Sequence, residues 1–181
     1  MCIRDRNKEE YRFSTERLLV SEWHSIHPSE WNQVELKTVV INILTPKVTQ
    51  SLPPEWQGAY TPERAKNWIE ERDNECVILI VVDKSSFTAI GFVILFGSAN
   101  GKDLRLGYLL KESAWGKGYA SELIQGFVEW SERNNILSIT GGVEVDNIAS
   151  IRVLEKNGFI REPDMNESEE HMFVWKNRHN K

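Results

Sequence analysis

From residue 119 onward the chain places apolar or small side chains at Ala120, Leu123, Ile124, Phe127, Val128 and Ser131, while Ser121, Glu122, Gln125, Glu129 and Glu132 fall between them. That spacing, i, i+3, i+4, i+7, i+8 and i+11, predicts an amphipathic helix with one buried face. Just before it, Leu106-Gly107-Tyr108-Leu109-Leu110 ends an apolar strand, and Trp115-Gly116-Lys117-Gly118-Tyr119-Ala120 makes a glycine turn. Two earlier apolar runs, 75–83 and 88–96, are joined at Lys84-Ser85-Ser86. Both are too apolar for a half-exposed sheet and read as central, antiparallel strands. A first strand is expected over 16–21, with 7–15 polar and frayed ahead of it. A helix is expected from Ser29, burying Trp31, Val34, Val40 and Ile41, although the β-branched run 38–41 works against its continuing. Residues 44–58 contain Pro46, Pro53 and Pro54 and read as a loop.

Thr61-Pro62-Glu63 is a helix start, because the Thr hydroxyl can cap, Pro suits the first helical position and Glu63 complements the dipole. Ala65, Trp68 and Ile69 supply that helix's buried face. Residues 97–102 turn the chain into the strand ending at Leu110. Beyond the glycine-turn helix, 138–145 is another strand, in which Gly141-Gly142 lets a neighbouring group approach the backbone closely. Asp146 or Asn147 caps the next helix, and Asn157-Gly158 ends it with a left-handed cap. Residues 159–161 and 170–176 close the sheet as a hairpin around the polar loop 162–169. Helices crossing between strands predict an α+β fold of three layers: a mixed, mostly antiparallel sheet of six to seven strands with helices on both faces.

Composition narrows the setting. A chain of 181 residues, 40% hydrophobic and 27% charged, is expected to form one domain over 7–181 with a sizeable core. The first six residues, Met1-Cys2-Ile3-Arg4-Asp5-Arg6, match the translation of a transposase adapter used in sequencing libraries, and read as an assembly remnant rather than as part of the fold. The longest apolar run, Cys76 to Val82, is far short of the ~20 residues that cross a bilayer, and no signal-like segment precedes it. No membrane partner and a cytoplasmic location are therefore expected. A net charge of −5 argues against a nucleic-acid partner and suits a cationic or amine-bearing substrate. Cys76 stands alone in its apolar run and reads as a small buried hydrophobe, leaving no disulfide framework and no metal site.

The candidate chemistry begins at the glycine turn. The first turn of a helix offers unpaired N–H groups and a partial positive charge, and Gly116 and Gly118 let an anion reach that backbone. Alone, the same glycines equally serve a tight turn. A second motif, Asn147-Ile148-Ala149-Ser150-Ile151-Arg152-Val153-Leu154-Glu155-Lys156-Asn157-Gly158-Phe159, stands one strand further on. Together the two resemble the GNAT superfamily of N-acyltransferases. The turn matches the Arg/Gln-x-x-Gly-x-Gly/Ala acyl-CoA signature with Trp115 in the Arg/Gln slot, and the second motif matches the helix that follows in those enzymes. Trp115, the Gly107-Tyr108 pair and Ser150 three residues after Asn147 are most similar to the branch containing the ribosomal-protein N-terminal acetyltransferases.

That resemblance implies acetyl transfer from acetyl-CoA, as co-substrate, to a primary amine, either a small-molecule amine or a peptide or protein N-terminus, by direct attack in a ternary complex. It implies that the backbone of Gly116, Lys117, Gly118, Tyr119, Ala120 and Ser121 holds the pyrophosphate, and that Tyr108, Leu109 and Leu110 pair with the pantetheine arm. It also implies strands splayed around Leu110 and Val145, with a freed N–H near Leu109 or Leu110 as oxyanion donor. Lys117 either adds charge to a phosphate or is a solvated turn lysine. Asn147 lies beside pantetheine or simply caps its helix, and Ser150 lies near the sulfur or is only a small helical residue.

Two departures bear on catalysis. Many members carry a Tyr where this chain has Leu154, and members of the branch often carry a Glu, as candidate base, where this chain has Arg105. Glu144 is the replacement base, acting directly or through water, or else an exposed strand end. None of the four histidines is spaced for a triad with Ser or Cys. Trp56 and Tyr60 either line an acceptor pocket or anchor the proline-rich loop. The rival reading is a non-catalytic acyl-CoA-binding or sensor domain. An unrelated nucleotide-binding enzyme is disfavoured because the chain lacks a Walker Lys-Ser/Thr pair and a full dinucleotide fingerprint. The acceptor is not legible, and a homodimer stays open.

Overall fold

The strand expected over 16–21 is β2 (Leu18–Glu22), an unexpected β1 (Arg12–Ser14) precedes it, and the sheet they open has six more: β3 (Val77–Asp83), β4 (Thr88–Gly97), β5 (Asp103–Leu110), β6 (Ser138–Glu144), β7 (Ile160–Arg161) and β8 (Glu170–Lys176). These come from a computed structural model that describes residues 7–32, 34–164 and 169–179. The order across the sheet is β1-β2-β3-β4-β5-β6-β8-β7. Neighbours are antiparallel except β5 and β6, which are parallel. The architecture is the expected mixed three-layer one, with eight strands rather than six to seven. The suspected adapter-encoded segment, 1–6, lies outside the described residues.

Helices α1 (Leu36–Ile43), α2 (Pro46–Thr49) and α3 (Pro62–Glu75) cover one face, and α4 (Tyr119–Arg133) and α5 (Ile148–Lys156) the other. Strand β3 shows why both faces must be covered. Val77, Leu79 and Val81 enter a core with Leu123, Ile124 and Phe127 of α4 and Leu154 of α5. Ile78, Ile80 and Val82 enter a second core with Val39, Val40 and Ile43 of α1 and Trp68 of α3. Each such fully buried aliphatic or aromatic side chain contributes about 1.5–3 kcal/mol through the water it leaves. Parallel β5 and β6 need a long crossover, and α4 is that crossover.

Three local expectations are corrected. Residues 7–15 are not frayed: Tyr11 is buried and stacks on Trp130 with ring centroids 5.2 Å apart, while the Trp130 indole N–H donates to the Glu10 carbonyl at 3.0 Å. Tertiary contacts with α4, not a local pattern, order this segment.

The helix expected from Ser29 begins at Leu36, because Pro28–Glu30 is a separate 3-10 turn and Trp31 leaves it in extended conformation. Its β-branched run is helical all the same, since Val39, Val40 and Ile43 reach the core and packing outweighs propensity. Trp31, Val34 and Ile41 are only half-buried.

The loop over 44–58 holds α2 and a 3-10 turn at Pro54–Trp56. Pro46 and Pro54 sit at the first position of each, where a fixed φ and a missing N–H favour a start. Elsewhere the boundaries differ from expectation by a residue or two, as where Glu75 ends α3 and β3 begins at Val77. Thr61 Oγ1 accepts from the Arg64 N–H at 3.1 Å at the head of α3, Cys76 is buried, and Gly158 ends α5 at φ +87°.

Candidate active site

The glycine turn folds as its residues dictate. Gly116 and Gly118 take φ of +69° and +77°, a left-handed conformation in which a side chain is strained. Gly118 is the N-cap of α4, and no side chain caps that end. The first amides of α4 therefore keep their capacity to hold an anion. A Cβ on Gly116 would meet nothing within 4 Å, so the approach to its backbone is open. The Lys117 side chain is exposed, and it is the Lys117 carbonyl that takes part in the scaffold.

What holds this turn in place is Arg17, which sequence reasoning missed. Its Nη1 donates to the Lys117 carbonyl at 2.9 Å, its Nε donates to Glu122 Oε1 at 2.7 Å, and its guanidinium lies 4.1 Å from the Tyr119 ring centroid. Glu122 Oε2 also accepts from the Thr15 hydroxyl at 2.5 Å and the Arg17 N–H at 2.9 Å. The turn between β1 and β2 is thus tied to the first turn of α4. An Arg and a Glu separated by 105 positions leave no periodic signal.

Burial pushes the Glu122 carboxyl up, but the Thr15 and Arg17 hydrogen bonds and the nearby guanidinium outweigh it and hold the group below its ordinary value of 4.5. A carboxylate whose folded-state pKa is depressed contributes stability that is complete above the unfolded-state value and is lost as pH falls through the folded-state one. Glu122→Gln is expected to cost about 1 kcal/mol near neutral pH, the difference between hydrogen bonds to a charged and a neutral acceptor. That cost should shrink in denaturation curves taken progressively below about pH 4.5. A gap that stays constant with pH would show that the charge of Glu122 adds nothing.

The cleft follows from strand register. Strands β5 and β6 pair only from Asp103↔Ser138 to Leu106↔Gly141. Yet β5 continues beside β4 to Leu110, and β6 continues beside β8 to Glu144. Residues 107–110 and 142–144 therefore diverge and leave backbone edges facing one another without a shared ladder. Leu154, 1% exposed, seals the base, with its Cδ1 3.6 Å from where a Gly141 Cβ would stand. Leu109 packs into the core beneath α1 and α3, while Leu110 and Tyr108 pack toward α4 and α5. The Trp115 indole N–H donates to the Leu110 carbonyl at 2.8 Å, so the residue in the Arg/Gln slot ties the glycine turn to the end of β5.

Tyr108 and Ser150 meet across the cleft-side core, hydroxyl to hydroxyl at 3.0 Å. Asn147 caps α5 by accepting from the Ser150 N–H at 3.2 Å, and Ser121 Oγ accepts from the Asn157 amide at 3.4 Å. Tyr119 and Ala120 open α4 with their side chains half-buried against its core. Glu144 is exposed at the end of β6, in register with Glu170. The group that approaches Gly142 closely is the Glu170 carboxylate, whose Oε1 lies 2.2 Å from where a Gly142 Cβ would stand.

Other candidates are accounted for by structure. Trp56 and Tyr60 belong to the second core, and the Tyr60 hydroxyl donates to the Trp56 carbonyl at 2.8 Å. His27 does meet a serine, Ser29 Oγ at 2.7 Å, but as part of an exposed helix cap. His24 is paired with Asp73 at 2.9 Å, and Glu22 Oε2 accepts from the His24 N–H and the Ser25 hydroxyl, so this cluster satisfies itself by hydrogen bonds. Two surface grooves of about 490 and 700 Å³ run along β1, at the sheet edge remote from the cleft. No described helix is long and apolar enough to cross a membrane.

Comparison with known proteins agrees with this geometry. Residues 29–160 match the model of the acetyltransferase (GNAT) domain. The chain is 25% identical over 151 residues to YnaD, an uncharacterized N-acetyltransferase of Bacillus subtilis, covering 82% of each. Among solved structures, the ribosomal-protein-S5-alanine acetyltransferase of Vibrio fischeri superposes with a TM-score of 0.66 at 22% identity, over 94% of this chain and 98% of that one. The spermidine N-acetyltransferase of Vibrio cholerae, in complex with CoA and spermine, superposes with a TM-score of 0.64 at 16% identity, over 89% and 96%. A glycine turn at an uncapped helix, a cleft opened by diverging parallel strands and a family match across more than half its length make this chain a member of the GNAT acetyltransferase family.

Proposed function

We propose that the protein transfers an acetyl group from acetyl-CoA to a primary amine in a ternary complex. The observation that carries this reading is the cleft itself: a parallel pair that stops at Leu106↔Gly141 beside a helix whose first turn no side chain caps. The residues fit the donor, since the open backbone at Gly116 and the left-handed Gly118 form a cradle that a Cβ would obstruct. In this reading the amides of residues 116–121 hold the diphosphate, and the unpaired edge of Tyr108, Leu109 and Leu110 holds the pantetheine arm. When bound, acetyl-CoA supplies the activated acyl group. An N–H near Leu109 or Leu110 polarises its carbonyl, Glu144 accepts a proton from the amine directly or through water, and Ser150 stands toward the sulfur.

The neighbours named as a ribosomal-protein-S5-alanine acetyltransferase and a spermidine N-acetyltransferase support an amine acceptor. Acetyl-CoA is expected to raise the melting temperature, by the equivalent of about 2.7 kcal/mol at a hundred times Kd. An unchanged melting curve at millimolar acetyl-CoA would refute the donor site. Leu154 and Arg105, in place of the tyrosine and glutamate that the family resemblance implies, favour a second reading as a non-catalytic acyl-CoA sensor. Thiol release with spermidine and with peptides beginning in Ala or Ser separates the two, because a sensor binds acetyl-CoA and releases none.

A further inference from the structure

On the helix wall of the cleft, position 154 offers no proton donor. Leu154 is 1% exposed and fills the base of the cleft against Gly141. A hydroxyl is nevertheless delivered to the same place from the opposite wall. Residues two apart on a strand share a face, so Leu106, Tyr108 and Leu110 of β5 all point toward α4 and α5. Leu106 is the last residue of β5 paired with β6, which makes Tyr108 the first side chain on that face where the strands have parted. Its ring crosses from strand to helix and its hydroxyl stands 3.0 Å from Ser150 Oγ, one helical turn before Leu154. Ser150 is itself held, because its N–H is bound by the Asn147 cap at 3.2 Å.

Resting on the acetyl-transfer reading above, we infer that Tyr108 and Ser150 form a two-hydroxyl relay that returns a proton to the departing thiolate. As the amine nitrogen bonds the acetyl carbon, the carbon–sulfur bond breaks and its electron pair stays on sulfur. Ser150 gives its hydroxyl proton to sulfur and takes one from Tyr108. The proton that Glu144 takes from the amine returns through water to the Tyr108 oxygen, so the products are the amide and the free thiol, with the Glu144 carboxylate and both hydroxyls restored. Burial raises the Tyr108 hydroxyl above its ordinary value, and the Ser150 hydrogen bond offsets part of that, so the group holds its proton at neutral pH. Ser150 is the residue in reach of sulfur, and Tyr108 acts through it as a positioning residue.

The test uses Tyr108→Phe, Ser150→Ala and the double variant, with spermidine and a Ser-terminated peptide as acceptors and thiol release as the readout. Tyr108→Phe keeps the ring in the core and is expected to lower kcat at least about tenfold, with KM for acetyl-CoA and the acetyl-CoA-induced melting shift unchanged. The double variant should be no slower than the slower single one, because both changes break one relay. A Tyr108→Phe enzyme with wild-type kcat, a loss that appears in KM alone, or losses that multiply in the double variant would overturn the relay and leave acetyl transfer standing. A wild-type protein that binds acetyl-CoA and turns over neither acceptor would overturn the enzyme reading and the relay with it.

Discussion

Adding a single methyl group at residue 91 is expected to destabilise the protein by roughly 3 kcal/mol or more and to abolish acetyl transfer, the cost falling at or above the upper end for overpacked sites. A Cβ on Gly91 would stand 2.3 Å from the Leu109 carbonyl oxygen, 2.7 Å from Leu110 Cδ2 and 3.2 Å from Leu110 Cα. Two of those three atoms are backbone and cannot rotate away. The register shifts here, passing from Val81↔Gly91 to Val82↔Ala89 and leaving Ile90 as an extra residue of β4. The bulge is locked by the Lys111 N–H, which donates to the Ile90 carbonyl at 2.7 Å. Bulges of this kind re-aim a strand, and this one presses β4 onto the segment of β5 that walls the cleft. Denaturant melts of Gly91→Ala measure the first effect and thiol release the second. A variant of wild-type stability would mean the two backbones are not in such close contact.

The second large effect is on donor binding. Gly118→Asp is expected to weaken acetyl-CoA at least about a hundredfold, because it sets a carboxylate where the diphosphate would rest. The fold should survive it. Asp tolerates the left-handed region better than most residues, and the new Cβ would lie 3.5 Å from Arg17 Nη2, a cation able to accept it. Gly118→Asn has nearly the same shape without the charge and is the control. If Asn costs as much binding as Asp, the loss is steric. If neither variant loses the acetyl-CoA melting shift, the diphosphate lies elsewhere.

These two sites also show what the residues reveal in one dimension. The glycine turn and the face of α4 were legible, since Leu123, Ile124 and Phe127 recur at helical spacing and Gly118 stands where the period begins. The caps at Thr61 and Asn147 were legible because capping is a contact within three residues. Gly91 gave no signal, as it sits in an apolar strand and its meaning lies in a carbonyl 18 positions away (109 minus 91). The Arg17–Glu122 tie and the Tyr108–Ser150 contact are hidden for the same reason, spanning 105 and 42 positions. The short strands β1 and β7 carry too few residues to show alternation, and Phe13 earns its burial from Phe127, 6.3 Å away between ring centroids. Prolines misled in the opposite direction, since Pro46 and Pro54 read as breakers and serve as helix starts. Local chemistry shapes the glycine turn, and long-range packing builds the walls around it.

The short parallel ladder between β5 and β6 has a mechanical meaning. Five strands on one side and three on the other share a ladder of only four residue pairs, Asp103↔Ser138 to Leu106↔Gly141, continued at its closed end by the Leu137 N–H, which donates to the Lys102 carbonyl at 2.7 Å. The rest of that boundary is spanned by α4 and α5, whose side chains reach both halves. The sheet therefore behaves less like a plate than like two leaves sharing a short spine. Any breathing of the molecule concentrates at its open end, where a guest of the right width would wedge the leaves apart or draw them together.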